Sequence, residues 1–139
     1  MRSRGFTLLE LIVAMAVVMV VVSLSATYFS YSMADSRSAQ ATQIVVQTLR
    51  AARSRAMELS SNVTVTIDGS AVTAQVQNGA ASTVRTELPT GVAISGTNTF
   101  VFNPAGIAST AGAVSIASSA SNRVESRVVT VSALGQIIR

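Results

Sequence analysis

The residues that could do chemistry are few. The chain of 139 residues contains no Cys and no His. It therefore cannot form disulfides or bind a metal through thiolates, and it lacks the most common general base. After the first 60 residues the only carboxylates are Asp68, Glu87 and Glu125, and they form no nucleophile–base pair or metal-binding spacing. We therefore predict that the protein is not an enzyme and that it uses no metal or other cofactor.

One carboxylate stands where water is expected to be excluded. Glu10 directly precedes a run from Leu11 to Val22 in which every residue is apolar. If residues 6–28 are helical, they are long enough to cross a hydrocarbon core about 30 Å thick. A carboxylate carried to the centre of a bilayer costs about 2.5–3.5 kcal/mol on insertion scales. The chemistry predicted for Glu10 is therefore electrostatic pairing with a partner.

The residues around this run allow two interpretations. Arg2 and Arg4 precede it and favour a cytoplasmic N-terminus with the remaining chain outside the cell membrane. A secretory signal peptide has the same basic start and apolar run, and the small residues at 23–26 could form its cleavage site. Composition alone leaves both interpretations open, although Glu10 disfavours the signal peptide.

The motif around Glu10 resembles a known processing site. The segment from Gly5 to Glu10 reads Gly-Phe-Thr-Leu-Leu-Glu and resembles the prepilin cleavage site of type IV pilins and type II secretion pseudopilins. The resemblance implies a leader peptide over residues 1–5, removed between Gly5 and Phe6 by a membrane-embedded prepilin peptidase that then methylates the Phe6 amine. It also implies that Glu10 of one subunit pairs with this amine on its neighbour, since burying opposite charges together costs less than burying either alone.

A single long helix is expected next. No Gly or Pro occurs between Phe6 and Asp68, which permits one helix over residues 6 to about 60, roughly 80 Å long. We expect residues 6–29 to form a transmembrane, polymerising half and residues 30–61 an amphipathic half. The stripe expected to pack on a sheet recurs at three- and four-residue steps; it comprises Ala41, Ile44, Val45, Thr48, Leu49, Ala52, Ala56 and Leu59.

Residues 62–139 have the pattern of a β-rich globular domain. Apolar and polar residues alternate on both sides of Asp68-Gly69, which predicts a hairpin. Further strands are predicted over residues 83–88, 92–95, 99–103, 113–117 and 127–132, with Ser/Ala/Gly-rich loops over 78–83 and 108–122. The expected fold is α+β, with the long N-terminal helix packed on a small antiparallel β-sheet domain.

The C-terminal segments 102–106 and 127–135 resemble the GspH/FimT group of minor pseudopilins. Some FimT-type members bind DNA through a terminal Gly-Arg-x-Arg pattern. Here Gln136 and Ile138 occupy the two arginine positions, and the final arginine comes one place late. The remaining candidate DNA contacts are Arg123, Arg127 and Arg139. These arginines could form a small basic patch, or they could be scattered surface charges.

The expected function is that of a minor subunit of a type II secretion pseudopilus or a type IV pilus. The alternative is a DNA-binding minor pilin that acts in DNA uptake. The expected partners are other pilin or pseudopilin subunits, the prepilin peptidase, the bacterial inner membrane and the secretion or pilus assembly platform. The globular domain is expected on the periplasmic or extracellular side.

The processing site gives the first prediction. Mass spectrometry of the protein purified from membranes should show a mature chain that begins at Phe6 and carries one methyl group on its amine. A chain that begins at Met1, or near Ala26 as for a secretory signal, would contradict the prepilin interpretation.

Overall fold

The computed structural model describes residues 7–77, 83–120 and 123–139; the predicted cleavage residues Gly5 and Phe6 lie outside them. One helix, α1, spans Leu8–Glu58, and strands follow it in the described chain. The expected α+β architecture of a long N-terminal helix on antiparallel strands is confirmed. The strands are β1 Val63–Ile67, β2 Ala71–Val76, β3 Val84–Glu87, β4 Val92–Gly96, β5 Thr99–Phe102, β6 Gly112–Ala120, β7 Arg123–Val131 and β8 Ile137–Ile138.

Local chemistry sets both ends of α1. Thr7 is the N-cap, and its hydroxyl accepts a hydrogen bond from the backbone N–H of Glu10 at 3.2 Å. This bond satisfies one of the amide groups that a helix leaves unpaired at its start. At the other end, the N–H of Leu59 donates to the Arg55 carbonyl at 2.9 Å, and Ser60 has a positive φ of 47°. The chain therefore turns away after Glu58.

The strands form two antiparallel sheets rather than one. The first has the order β3-β2-β1-β5 and the second the order β4-β6-β7-β8. The predicted hairpin joins β1 to β2, with Ile67 opposite Val72. Asp68 closes this turn, because its Oδ1 accepts from the Ser70 N–H and hydroxyl, both at 2.8 Å, and from the Ala71 N–H at 2.6 Å.

The strand predicted over residues 113–117 is confirmed, but it is longer than predicted, so the loop predicted over the overlapping residues 108–122 is largely wrong. Residues Gly112–Ala120 form β6, which pairs along its full length with β7. β7 also begins at Arg123, four residues before the predicted strand. Small residues weaken the local strand signal, but Val114 and Ile116 point inward and are fully buried. Pairing with the Val-rich β7 outweighs the poor propensity of the Ser and Gly positions.

The predicted helical stripe forms one wall of the core. Ile44 packs against the core from its edge, whereas Leu59 is 55% exposed because α1 ends before it. Across from the stripe, Phe100 and Phe102 of β5 are fully buried. The stripe members that are buried are Ala41, Val45, Leu49, Ala52 and Ala56.

Two glycines fasten the distal turns to the end of α1. Gly106 and Gly135 have φ values of +72° and +73°, which L side chains rarely adopt. A Cβ on Gly135 would collide with the Gly106 carbonyl oxygen, so the two turns are in direct backbone contact. The same carbonyl accepts a hydrogen bond of 3.0 Å from Arg53 Nε. The turns after β5 and β7 are thus tied to each other and to the helix.

A matched pair of leucines tests the register of the stripe. Leu49→Ala should destabilise the protein by about 2–5 kcal/mol, because it empties a fully buried site. Leu59→Ala should change stability by less than about 0.5 kcal/mol, because Leu59 is exposed and outside the helix. Urea unfolding of the full chain in detergent micelles measures both. Equal losses would contradict the observed register.

Asp68 predicts a pH dependence. Hydrogen bonds from the Ser70 backbone, the Ser70 hydroxyl and the Ala71 backbone hold the pKa of Asp68 below its ordinary value of 3.8. Because the folded-state pKa is the lower one, the carboxylate's contribution is fully present above the ordinary value and is lost as pH falls through the folded-state value. The stability difference between wild type and Asp68→Asn should therefore shrink on acidification. A difference that does not depend on pH would contradict this role.

Candidate membrane-anchoring and assembly site

The first half of α1 is an uncovered apolar cylinder. Its large apolar side chains are exposed by between 53% at Val13 and 79% at Tyr28. The most apolar stretch of this helix is long enough to cross a membrane, and none of it is buried against the rest of the described chain. A continuous apolar surface of this size is unfavourable in water. A helix satisfies its own backbone hydrogen bonds, so lipid or the apolar helices of other subunits can cover it.

Glu10 lies in the first turn of this cylinder. It is the only charged residue between Thr7 and Ala34, and its side chain is exposed. A negative charge in the first helical turn is favourable because the helix dipole is positive at that end. Within the described residues the carboxylate of Glu10 has no side-chain partner, whereas its backbone N–H is occupied by Thr7. The carboxylate is thus available to a cation from another molecule.

Two serine hydroxyls of the apolar half, those of Ser23 and Ser25, are satisfied inside the helix. Ser23 Oγ donates to the Met19 carbonyl at 2.6 Å, and Ser25 Oγ donates to the Val21 carbonyl at 2.8 Å. Such back-bonding removes most of the cost of placing a hydroxyl in hydrocarbon. These serines are therefore compatible with a membrane-embedded segment.

Aromatic residues mark the outer end of the apolar half. The chain has two tyrosines, Tyr28 and Tyr31, and both lie where the apolar run ends. Tyrosine is enriched at the membrane–water interface, where its ring and hydroxyl meet different environments. From Glu10 to Phe29 the helix rises by about 29 Å, which matches a hydrocarbon core of about 30 Å. The first buried helical residue follows at Ala34.

The structure does not gather the three candidate DNA-contacting arginines into one patch. Arg127 Nη2 lies 2.7 Å from Asp35 Oδ1, and its Nε donates to Ser38 Oγ at 3.3 Å. Arg123 begins β7, and its side chain lies outside the described residues. Arg139 is exposed and follows β8, which pairs with the opposite end of β7, about 20 Å from Arg123 at the rise of a strand.

The sequence offered little sign of the Asp35–Arg127 ion pair. Its members are 92 residues apart, and no local pattern relates them. Arg127 points from the inner face of the second sheet toward α1, in line with Val129 and Val131, both buried. Alternate residues of a strand lie on the same face, so the sequence pattern places Arg127 on the face of Val129 and Val131. That pattern is the one signal in the sequence that could have indicated a contact between Arg127 and the helix.

Fold and site together define a class: filament-type subunits in which a single exposed apolar helix carries an antiparallel β domain. Residues 1–26 match the prokaryotic N-terminal methylation motif, and residues 41–135 match the family described as type II transport protein GspH. The chain belongs to the GspH family, which confirms the resemblance found in the sequence. It is a minor subunit of the pilin and pseudopilin type.

A solved structure has a similar fold. The type IV minor pilin FimU of Pseudomonas aeruginosa superposes with a TM-score of 0.59 at 14% sequence identity. The match covers 75% of this chain and 87% of FimU. At this identity the similarity shows the fold alone. No curated protein matches the chain.

Proposed function

We propose that the protein is a structural, non-catalytic subunit that joins a type II secretion pseudopilus or a type IV pilus through its N-terminal helix. The observation that carries this proposal is the first half of α1, which its own chain leaves exposed while the second half is packed. A subunit of this form is complete only when lipid or neighbouring helices cover the apolar half. Insertion into the inner membrane precedes transfer into a filament.

The methylation motif supports a specific processing step. Prepilin peptidase cuts between Gly5 and Phe6, and the new Phe6 amine is methylated, which keeps its positive charge. The amine of one subunit then pairs with Glu10 of its neighbour. The exposed and unpartnered carboxylate of Glu10 supports this assignment, because an isolated charge in an apolar bundle would be strongly unfavourable. The pairing fixes the axial position of each added subunit.

The remaining partners follow from the same arrangement. Arg2 and Arg4 keep the N-terminus cytoplasmic, so the sheets lie on the periplasmic side before assembly. The other subunits of the filament and the assembly platform are the protein partners. DNA is not proposed as a ligand, because Arg127 is held by Asp35 and the candidate arginines are dispersed.

Substitutions of two glutamates on α1 test the assembly role. Glu10→Ala and Glu10→Gln should leave cleavage intact but reduce incorporation into sheared filaments by at least about tenfold, the scale of a lost buried charge partner. Glu58→Ala is the matched control: Glu58 is exposed at the far end of the same helix, bonded only to Ser54 in the described structure. Immunoblots of filament and membrane fractions measure incorporation. Normal incorporation of the Glu10 variants would refute the pairing.

A further inference from the structure

We propose that a cavity between α1 and the end of β6 binds the headgroup of an anionic phospholipid in the outer leaflet of the membrane that anchors the helix. The inference rests on the membrane anchoring proposed above and adds a ligand site to it. The cavity has a volume of about 340 Å³. It is lined by Phe29, Ser30, Met33, Ala34, Arg37 and Ser119.

The cavity lies at the depth of lipid headgroups. Phe29 is the last residue of the exposed apolar run, and Tyr28 and Tyr31 flank it at the membrane interface. Arg37 lies two turns further along, about 12 Å beyond Phe29 on the helix axis. Side chains on a helix tilt toward its N-terminus, so the long Arg37 side chain reaches back toward the bilayer. Its guanidinium therefore lies near the phosphate level.

The lining changes from apolar to polar in the direction that a lipid requires. Phe29 and Met33 form the side nearer the hydrocarbon, where the upper part of an acyl chain would lie. Arg37 and the hydroxyl of Ser119 form the side nearer water. A planar guanidinium matches the oxygens of a phosphodiester, and a hydroxyl can bond to the remaining oxygens.

Arg37 is positioned but not neutralised. It is half-buried, and its Nη1 would lie 3.4 Å from a Cβ on Gly91, so it rests on the backbone that leads into β4. Within the described residues it has no ion-pair or hydrogen-bond partner. The nearest acid along the helix, Asp35, is already 2.7 Å from Arg127. Arg37 is the one charged side chain among the residues that line the cavity.

The end of β6 completes the polar side of the cavity. Ser119 is one residue from the end of β6 and lines the cavity together with Arg37. An arginine near an anionic membrane surface favours binding, so Arg37 suits the cavity to an anionic lipid better than to a zwitterionic one.

Lipid enrichment in nanodiscs tests the site. The processed full chain is inserted into nanodiscs of phosphatidylcholine with a minor fraction of phosphatidylglycerol, and native mass spectrometry counts the lipids retained after extraction. Wild type should retain phosphatidylglycerol with about fivefold enrichment, the scale expected for one arginine at an anionic surface. Arg37→Gln should lose this enrichment. Arg50→Gln, an exposed arginine further along the same helix, should keep it.

A second variant guards against misfolding. Ser119→Glu adds a negative charge at the exposed rim of the cavity without touching the helix core, and it should also abolish the enrichment. No enrichment in wild type, or enrichment that survives in Arg37→Gln and Ser119→Glu, would overturn the proposal. Loss of the enrichment on adding inorganic phosphate would also overturn it, by assigning the cavity to a free anion.

Flotation with vesicles of pure phosphatidylcholine separates this proposal from the one it rests on. A chain that floats but shows no preference for phosphatidylglycerol keeps its membrane anchor and loses only the lipid site. A chain that does not float lacks the anchor, and both proposals then fail.

Discussion

The structure depends on one helix that must satisfy two environments. Up to Phe29 the described side chains of α1 are exposed on all sides of the helix, whereas from Ala34 a single stripe is buried against protein. No Gly or Pro interrupts the 51 residues of the helix, so the change of environment occurs without a break in the backbone. The sheets cover only the second half of the helix. The first half can face lipid without them, because a helix satisfies its backbone hydrogen bonds internally.

Contacts from both sheets hold the packed half in place. Valine and leucine side chains of α1 form one buried apolar cluster with side chains from both sheets, among them Phe100 of β5 and Val129 of β7. An arginine marks each end of the packed region: Arg127 reaches from β7 to Asp35 near the membrane, and Arg53 reaches from α1 to the Gly106 carbonyl at the far end. The Asp35 pair is partly exposed, so it defines position more than it adds stability.

Features encoded by neighbouring residues could be predicted from the sequence. The unbroken helix, the stripe around Leu49 and the turn at Asp68 each follow from spacing within a few residues. Only the middle of β6, residues 113–117, could be predicted, because the Ser and Gly positions around it become strand only by pairing with β7. The contact between Asp35 and Arg127 joins residues that only the tertiary fold brings together. The sequence alone indicates a role for Glu10, because it is a lone carboxylate beside an apolar run, but its proposed partner lies on another molecule.

The continuity of α1 also has a mechanical meaning. The helix is about 77 Å long at 1.5 Å per residue and runs from the start of the apolar half to the far end of the β domain. The core and both arginine contacts hold the domain on that helix. The helix therefore has no break at the membrane surface. We expect an axial pull on the apolar half to move the sheets by the same distance, and a rotation of that half to turn the sheets through the same angle. The subunit would then transmit torque as well as tension from the apolar half of the helix to the β domain.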